Sequence, residues 1–254
     1  MKYVLALLFT IITSTAQAES YALYHYGSNE YIESQDIDTV RSIASITKLF
    51  TAVIVIRSAV DLDERVAVDC TSRGHVVKGS KVTTRDLLTA TIVASDNCAA
   101  EALANSYPGG FKQFVKDRDE FVMGMGLIHT KLHDATGLSV FNSSNVNDLV
   151  RFISIAYREE IIRTMASLPN TSITMYNKKN KKIVLQLHNT NPSVIKYNSI
   201  VLSKTGFTNS AGRCVVMLVK KFDEFFAVVI LGEPNVRART RVAEKLLSYE
   251  TRTR

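Results

Sequence analysis

Apolar residues crowd the start of this chain. Tyr3 to Ile12 is an almost unbroken apolar run after Met1-Lys2, and it gives way to Thr13-Ser14-Thr15-Ala16-Gln17-Ala18. A positive start, a short apolar stretch and a small-residue A-x-A ending predict a secretory signal peptide cleaved after Ala18. The run is short for a bilayer span, and no later segment is apolar for long enough to cross a membrane. The chain therefore divides into a signal peptide, residues 1–18, and one folded unit, residues 19–254.

Further along, the patterning changes period. Tyr21 to Tyr26 and Tyr31 to Ser34 read as two strands around a Gly27-Ser28-Asn29-Glu30 turn. Ser45 to Ser58 is apolar at 46, 49, 50 and 52 to 56, which predicts a helix hydrophobic nearly all round and buried in the core. Thr83-Thr84-Arg85-Asp86 resembles a capping box with Asp in the place of Glu or Gln, and opens a helix to about Val93. A second helix runs from Cys98 to Ala104 and stops at Pro108-Gly109-Gly110. Phe111, Phe114, Val115 and Val122 fit a third, and Asn145 with Asp148 opens a fourth towards Tyr157. Ile183 to Leu187, Ser199 to Ser203, Cys214 to Val219 and Phe225 to Leu231 read as strands, and Arg237 to Tyr249 as a closing helix. Strands at both ends around a helical middle predict an α+β fold, with one antiparallel sheet built from both termini.

Composition narrows the class. The chain has 254 residues, 46% hydrophobic and 22% charged, which excludes disordered and collagen-like proteins. A net charge of +7 invites a nucleic-acid reading. There is no tryptophan, however, and the one dense basic tract, Lys178-Lys179-Asn180-Lys181-Lys182, reads as a solvated loop before a strand. No nucleic-acid partner is expected. Arg237, Arg239, Arg241 and Lys245 lie beside Val242, Leu246 and Leu247, whose apolar stripe should pack on the sheet. Cys70, Cys98 and Cys214 permit at most one internal disulfide, with its pairing open. His129 and His133 have the spacing of a helical metal pair, but their segment reads as extended, so no metal is expected there.

Three short motifs carry chemistry. In Ser45-Ile46-Thr47-Lys48 the spacing puts Ser45 and Lys48 one helical turn apart. A serine hydroxyl needs a base, and a lysine amine serves if burial lowers its pKa. In Ser95-Asp96-Asn97 a hydroxyl can relay a proton and an amide can hydrogen-bond a substrate carbonyl, although the triplet can also simply cap the next helix. In Lys204-Thr205-Gly206, followed by Phe207, a lysine and a hydroxyl at a strand end can grip a carboxylate, and glycine lets a substrate backbone approach.

Ser-x-x-Lys, Ser-x-Asn and Lys-Thr-Gly in this order, behind an export signal, resemble the signature of penicillin-binding proteins and serine β-lactamases. Arg41-Ser-Ile-Ala-Ser-Ile-Thr-Lys48, Tyr107-Pro-Gly-Gly-Phe-Lys112, Thr136-Gly-Leu-Ser139 and Lys204-Thr-Gly-Phe-Thr-Asn-Ser-Ala-Gly-Arg213 are similar to low-molecular-mass penicillin-binding proteins of the endopeptidase branch. The resemblance implies a β-lactamase/transpeptidase-like fold with a helical subdomain, and a serine DD-peptidase catalytic domain over 19–254. It implies Ser45 as acylated nucleophile and Lys48 as general base. Ser95 and Asn97 serve in proton relay and substrate binding, and Lys204 and Thr205 hold the substrate carboxylate. The backbone N–H groups of Ser45 and Phe207 form the oxyanion hole. No metal or organic cofactor is implied, the partners are peptidoglycan peptides, and the location is periplasmic or otherwise secreted.

Two stretches depart from the family pattern: Cys98, where a larger and often basic residue is expected, and Asp69-Cys70-Thr71-Ser72-Arg73-Gly74. Glu101 and Asn105 have the Glu-x-x-x-Asn spacing of a β-lactamase deacylation pair but stand too close to the second motif, so β-lactams are expected to inhibit rather than be turned over. Endopeptidase cleavage of cross-links is the leading expectation. Carboxypeptidase trimming of D-Ala-D-Ala and a non-hydrolytic wall-binding module are the alternatives.

Overall fold

Nine consecutive residues of the most apolar helix, Thr47 to Val55, are buried. The helix, α1 (Thr47–Arg57), has no polar face to present to water, so the rest of the chain must surround it. The structure, a computed structural model, describes residues 20–249. The expected signal peptide at 1–18 lies outside the described residues.

Before α1 come the hairpin of β1 (Ser20–His25) and β2 (Glu30–Gln35), a short β3 (Arg41–Ser42) and one 3₁₀ turn at Ala44–Ile46. After it come β4 (Arg65–Ala67), β5 (Lys81–Thr83), α2 (Thr84–Val93), α3 (Asn97–Asn105) and α4 (Gly110–Gly124). The Thr83 side chain caps α2 by accepting from Asp86 N at 3.1 Å. Asp86 does not close a capping box; its carboxylate accepts from Thr174 N, 3.0 Å away. The chain continues through β6 (Ser143–Ser144), α5 (Val146–Arg158), α6 (Glu160–Ala166), β7 (Asn170–Tyr176), β8 (Lys182–His188) and α7 (Ser193–Lys196). It closes with β9 (Ile200–Thr208), β10 (Gly212–Lys221), β11 (Glu224–Glu233) and α8 (Val236–Tyr249).

The principal sheet has five antiparallel strands in the order β2-β1-β11-β10-β9, so N- and C-terminal strands do share it. Both faces are covered, which is why its central strands are continuously apolar. Alternate residues divide between two cores. Ala22, Val216, Leu218, Ala227, Val229 and Leu231 join the large helical core around α1. Leu23, Val215, Met217, Val228 and Ile230 pack against Ala243, Leu246 and Leu247 of α8. The α8 leucines, buried against the sheet, each contribute about 1.5–3 kcal/mol.

Two expectations are corrected. Ile183 to Leu187 does not join the terminal sheet; as β8 it lies in a second, four-stranded sheet, β4-β5-β7-β8. The strand expected to end at Ser203 runs on to Thr208, so Lys204-Thr205-Gly206 sits inside β9 rather than at its end. Among the described residues no helix is long and apolar enough to cross a membrane.

Candidate active site

Ser45 stands in the 3₁₀ turn that leads into α1, immediately after Ala44, whose φ of 46° is left-handed. A non-glycine residue there carries strain that the surroundings must over-determine. They do so by close approach. A Cβ at Gly137 would lie 2.0 Å from Ala44 O, and one at Gly206 would lie 2.7 Å from Ile43 O and 3.0 Å from Ser45 N. Gly206 is thus glycine because the backbone around the serine presses against β9. The space a side chain would need there is taken by Ile43 and Ser45, and the glycine itself also lines the cleft.

Lys48, one turn on, is fully buried. Its Nζ lies 2.9 Å from Ser45 Oγ, donates to Asn97 Oδ1 at 2.6 Å and donates to the carbonyl oxygen of Thr136. Burial lowers its pKa to about 7, against the opposing pull of the Asp134 and Asp96 carboxylates. A neutral amine has two N–H bonds and one lone pair. With both N–H bonds directed at Asn97 and Thr136, the lone pair faces Ser45 Oγ.

Thr136 is delivered by a loop organised on one carboxylate. Asp134 accepts from Thr136 N at 2.7 Å, Gly137 N at 2.6 Å and Ser139 N at 2.7 Å. Burial alone would raise the Asp134 pKa, and these bonds outweigh it and hold the carboxyl low. Thr51 Oγ1 of α1 donates to Ala135 O at 2.8 Å and ties the same loop to the helix.

Ser95-Asp96-Asn97 divides its work. Asp96 caps α3 by accepting from Ala99 N at 2.8 Å, so the capping role belongs to the middle residue. Ser95 adopts a φ of 57°, and its Oγ accepts from Lys204 Nζ at 2.8 Å. Asn97 faces Lys48.

The two departures from the family pattern meet here. Cys70 and Cys98 form a disulfide across 28 residues, so the Cys98 thiol is not exposed to oxidation as a free group. The disulfide anchors the 69–76 segment as a strap along α3. Glu101 accepts from Thr71 N, Thr71 Oγ1 and Ser72 N at 2.8–3.0 Å, and Asn105 donates to Asp69 O at 2.9 Å. Asp96 completes the strap by accepting from His75 N and, at 3.0 Å, from Val76 N. Cys98, Glu101 and Asn105 fall on one helical face.

β9 is the edge of the principal sheet, so one side of its backbone is unpaired and faces the cleft. Lys204 is buried, and burial together with the positive charges of Lys48 and Arg239 lowers its pKa well below normal. Thr205 Oγ1 lies 2.6 Å from Thr190 Oγ1. A cleft of about 280 Å³ is lined by Ser45, Ser95, Thr205, Phe207, Arg213 and Arg239, among others. The structure thus brings Ser45, Lys48, Ser95, Asn97, Lys204, Thr205 and Gly206 together, with Phe207 at the rim. Sequence reasoning missed three contributors. Asp134 had a local signal, since Asp-x-Thr-Gly is turn chemistry. Thr136 acts through a backbone carbonyl, and Arg239 sits among other arginines on α8.

Sheet, helical core and serine turn define a β-lactamase/transpeptidase-like architecture. The crystal structure of the Streptomyces K15 DD-transpeptidase matches this chain with a TM-score of 0.86 and 26% identity, over 92% of this chain and 97% of that one. The D-alanyl-D-alanine carboxypeptidase family, peptidase S11, matches residues 9–235, and the chain belongs to that family. The D-alanyl-D-alanine endopeptidase of Escherichia coli (strain K12) is 36% identical over 213 residues, 80% of this chain and 67% of that protein. The D-alanyl-D-alanine endopeptidase of Pseudomonas aeruginosa is 36% identical over 198 residues, 75% of this chain and 63% of that protein. This chain thus spans about two thirds of the length of those relatives.

Proposed function

We propose that this protein is an exported serine DD-peptidase that hydrolyses D-Ala-containing peptide bonds of peptidoglycan through a Ser45 acyl-enzyme, with cross-links as its main substrate. The observation that carries this is Lys48: buried, pKa about 7, both N–H bonds engaged, and 2.9 Å from Ser45 Oγ. The lone pair takes the Ser45 proton as Oγ attacks the D-Ala carbonyl. The backbone N–H groups of Ser45 and Phe207 receive the developing oxyanion. Ser95, hydrogen-bonded to Lys204, relays a proton to the departing amine, and Asn97 binds the peptide. Lys204 and Thr205 hold the carboxylate next to the scissile bond, and Arg239 adds a buried guanidinium on the same side. Water then hydrolyses the ester.

The endopeptidase names of the 36% identical relatives support cross-links over terminal D-Ala. With Glu101 and Asn105 committed to the strap, neither serves to activate water on a penicilloyl ester. β-Lactams should therefore acylate Ser45 and remain bound. The disulfide fits an oxidising compartment. With the sequence pattern of residues 1–18 it supports a periplasmic or otherwise secreted catalytic domain over 19–254.

The test is digestion of a cross-linked muropeptide dimer by residues 19–254, followed by mass spectrometry, with Ser45→Ala alongside. Conversion of dimer to monomers by the unmodified protein alone is the expected result. Loss of only terminal D-Ala from added pentapeptide would make it a carboxypeptidase. No product from either would leave a wall-binding module.

A further inference from the structure

The four-stranded sheet turns one face to the core and the other to solvent. Val66, Val82, Ile173, Met175 and Leu187 form the inner face. Directly paired residues share a side of a sheet, so the register places Ala67, Lys81, Tyr176 and Lys182 in one row across the outer face. Lys81 and Lys182 therefore flank Tyr176. Arg65, two residues before Ala67, holds its guanidinium carbon 4.1 Å from the Tyr176 ring centroid and donates to Tyr176 Oη at 3.0 Å. These two contacts fix the guanidinium and leave its other N–H bonds for a ligand.

No strand residue on this outer face is acidic; Ser172, Thr174, Val184, Gln186 and His188 make up the rest of it on β7 and β8. Acids on adjoining segments are committed elsewhere. Asp69 pairs with Lys78 at 2.8 Å, Asp63 with Arg85 at 3.1 Å, and Asp86 accepts from Thr174 N at 3.0 Å. Among the described residues Arg65, Lys81 and Lys182 pair with no carboxylate, Glu64 included. The hairpin tip adds Lys178, Lys179 and Lys181, also without a carboxylate partner among the described residues. Solvation explains the exposed tip, but not a row of cations fixed on the sheet below it.

The row also connects to the active site. From Lys182 to His188, β8 covers about 20 Å at about 3.3 Å per residue. The chain then reaches Thr190, which lines the cleft.

We propose that the outer face of this sheet is an exosite for the peptidoglycan polymer, in which Arg65, Lys81 and Lys182 take carboxylates of peptide stems other than the one being cleaved. This rests on the peptidoglycan reading above. Peptide stems repeat along the glycan, and each one not used as donor in a cross-link ends in a free carboxylate. One exposed charge pair is weak, so a polymer that offers several at once suits the row better than a single small anion. Arg65 suits a carboxylate because its planar fork presents paired N–H bonds. A soluble fragment that fills only the cleft gains nothing from the row.

The test measures co-sedimentation of residues 19–254 carrying Ser45→Ala with purified sacculi, so that binding is read without digestion. Adding Arg65→Gln, Lys81→Gln and Lys182→Gln should weaken binding by about tenfold, the scale of a few exposed charge pairs together. Removing three charges elsewhere, by Lys112→Gln, Lys116→Gln and Arg151→Gln, should change it by less than about twofold, the share of net charge alone. With Ser45 restored, the first triple variant should cleave a soluble cross-linked dimer as fast as the unmodified protein, and sacculi about tenfold more slowly. Equal weakening by the two triple variants, or undiminished digestion of sacculi by the first, would overturn the exosite. So would binding to phosphatidylglycerol vesicles without binding to sacculi, which would make the face a membrane contact. Failure of the unmodified protein to cleave the dimer, while it still binds sacculi through Arg65, Lys81 and Lys182, would overturn the peptidase reading and leave the exosite standing.

Discussion

The two walls of the cleft are built on opposite principles. On one, α1, α3 and the 134–139 loop hold Lys48 in a cage where each N–H has an acceptor and Asp134 is satisfied by backbone donors. On the other, Lys204 of β9, Arg213 of β10 and Arg239 of α8 gather beside a cleft whose lining, among the described residues, holds no carboxylate. The first wall is complete without substrate. In the proposed reading the second is completed by substrate, because an incoming anion relieves its mutual repulsion. Chemistry is preorganised on one side, and recognition is left as an unmet electrostatic demand on the other.

The sharpest way to break this contrast is Lys48→Arg, which preserves positive charge and removes the lone pair. Acylation by a fluorescent penicillin should fall by at least about 10³-fold, within the usual range for losing a general base. A variant that still labels rapidly would remove Lys48 from proton transfer. On the opposite wall, Arg239→Gln should lower kcat/KM for a peptide with a free carboxylate by about 10–100-fold. It should leave the pH dependence of acylation in place, since the cage around Lys48 is untouched.

That pH dependence has a definite sign. Below pH about 7 the Lys48 amine is protonated and has no lone pair, so acylation should rise through pH about 7 and then level off. Asp134 stabilises the ammonium form, so Asp134→Asn should move the midpoint to lower pH, as read from acylation rates across a buffer series. The smallest effect on chemistry should come from the strap. Replacing both Cys70 and Cys98 by Ser should cost about 2–4 kcal/mol of stability, measured by denaturant titration. Penicillin labelling should persist at low temperature, because Glu101, Asn105 and Asp96 still pin the segment.

The same division governs what could be read from the chain. Ser45 and Lys48, Ser95 and Asn97, and Lys204 and Thr205 are close in sequence, so their pairings survive as local spacing. The hydrophobic all-round pattern of α1 likewise announced a central helix. Thr136 was invisible as a site residue because any residue supplies a carbonyl. Arg239 was invisible because Arg237 and Arg241 flank it on the same helix, and only the docking of α8 on the sheet selects which one is buried. For Gly206 the local sequence does not reveal that residues more than 160 positions earlier also bar a side chain there. The second sheet escaped notice because β4 and β5 are three residues each and β7 opens on the polar run Asn170-Thr171-Ser172.

The burial of Cys214 has its own bearing on how the chain reaches this state. Three cysteines allow three single bridges, and two of them would use Cys214. Its side chain is fully enclosed at β10, and burial raises the thiol pKa to about 11, so thiolate for exchange is scarce once the sheet has formed. A chain that bridges Cys214 by mistake must keep β10 out of the principal sheet, and so stays open to reshuffling. A chain that bridges Cys70 to Cys98 can close the sheet and withdraw the remaining thiol. Folding itself proofreads the pairing, and the correct isomer is the one in which exchange stops.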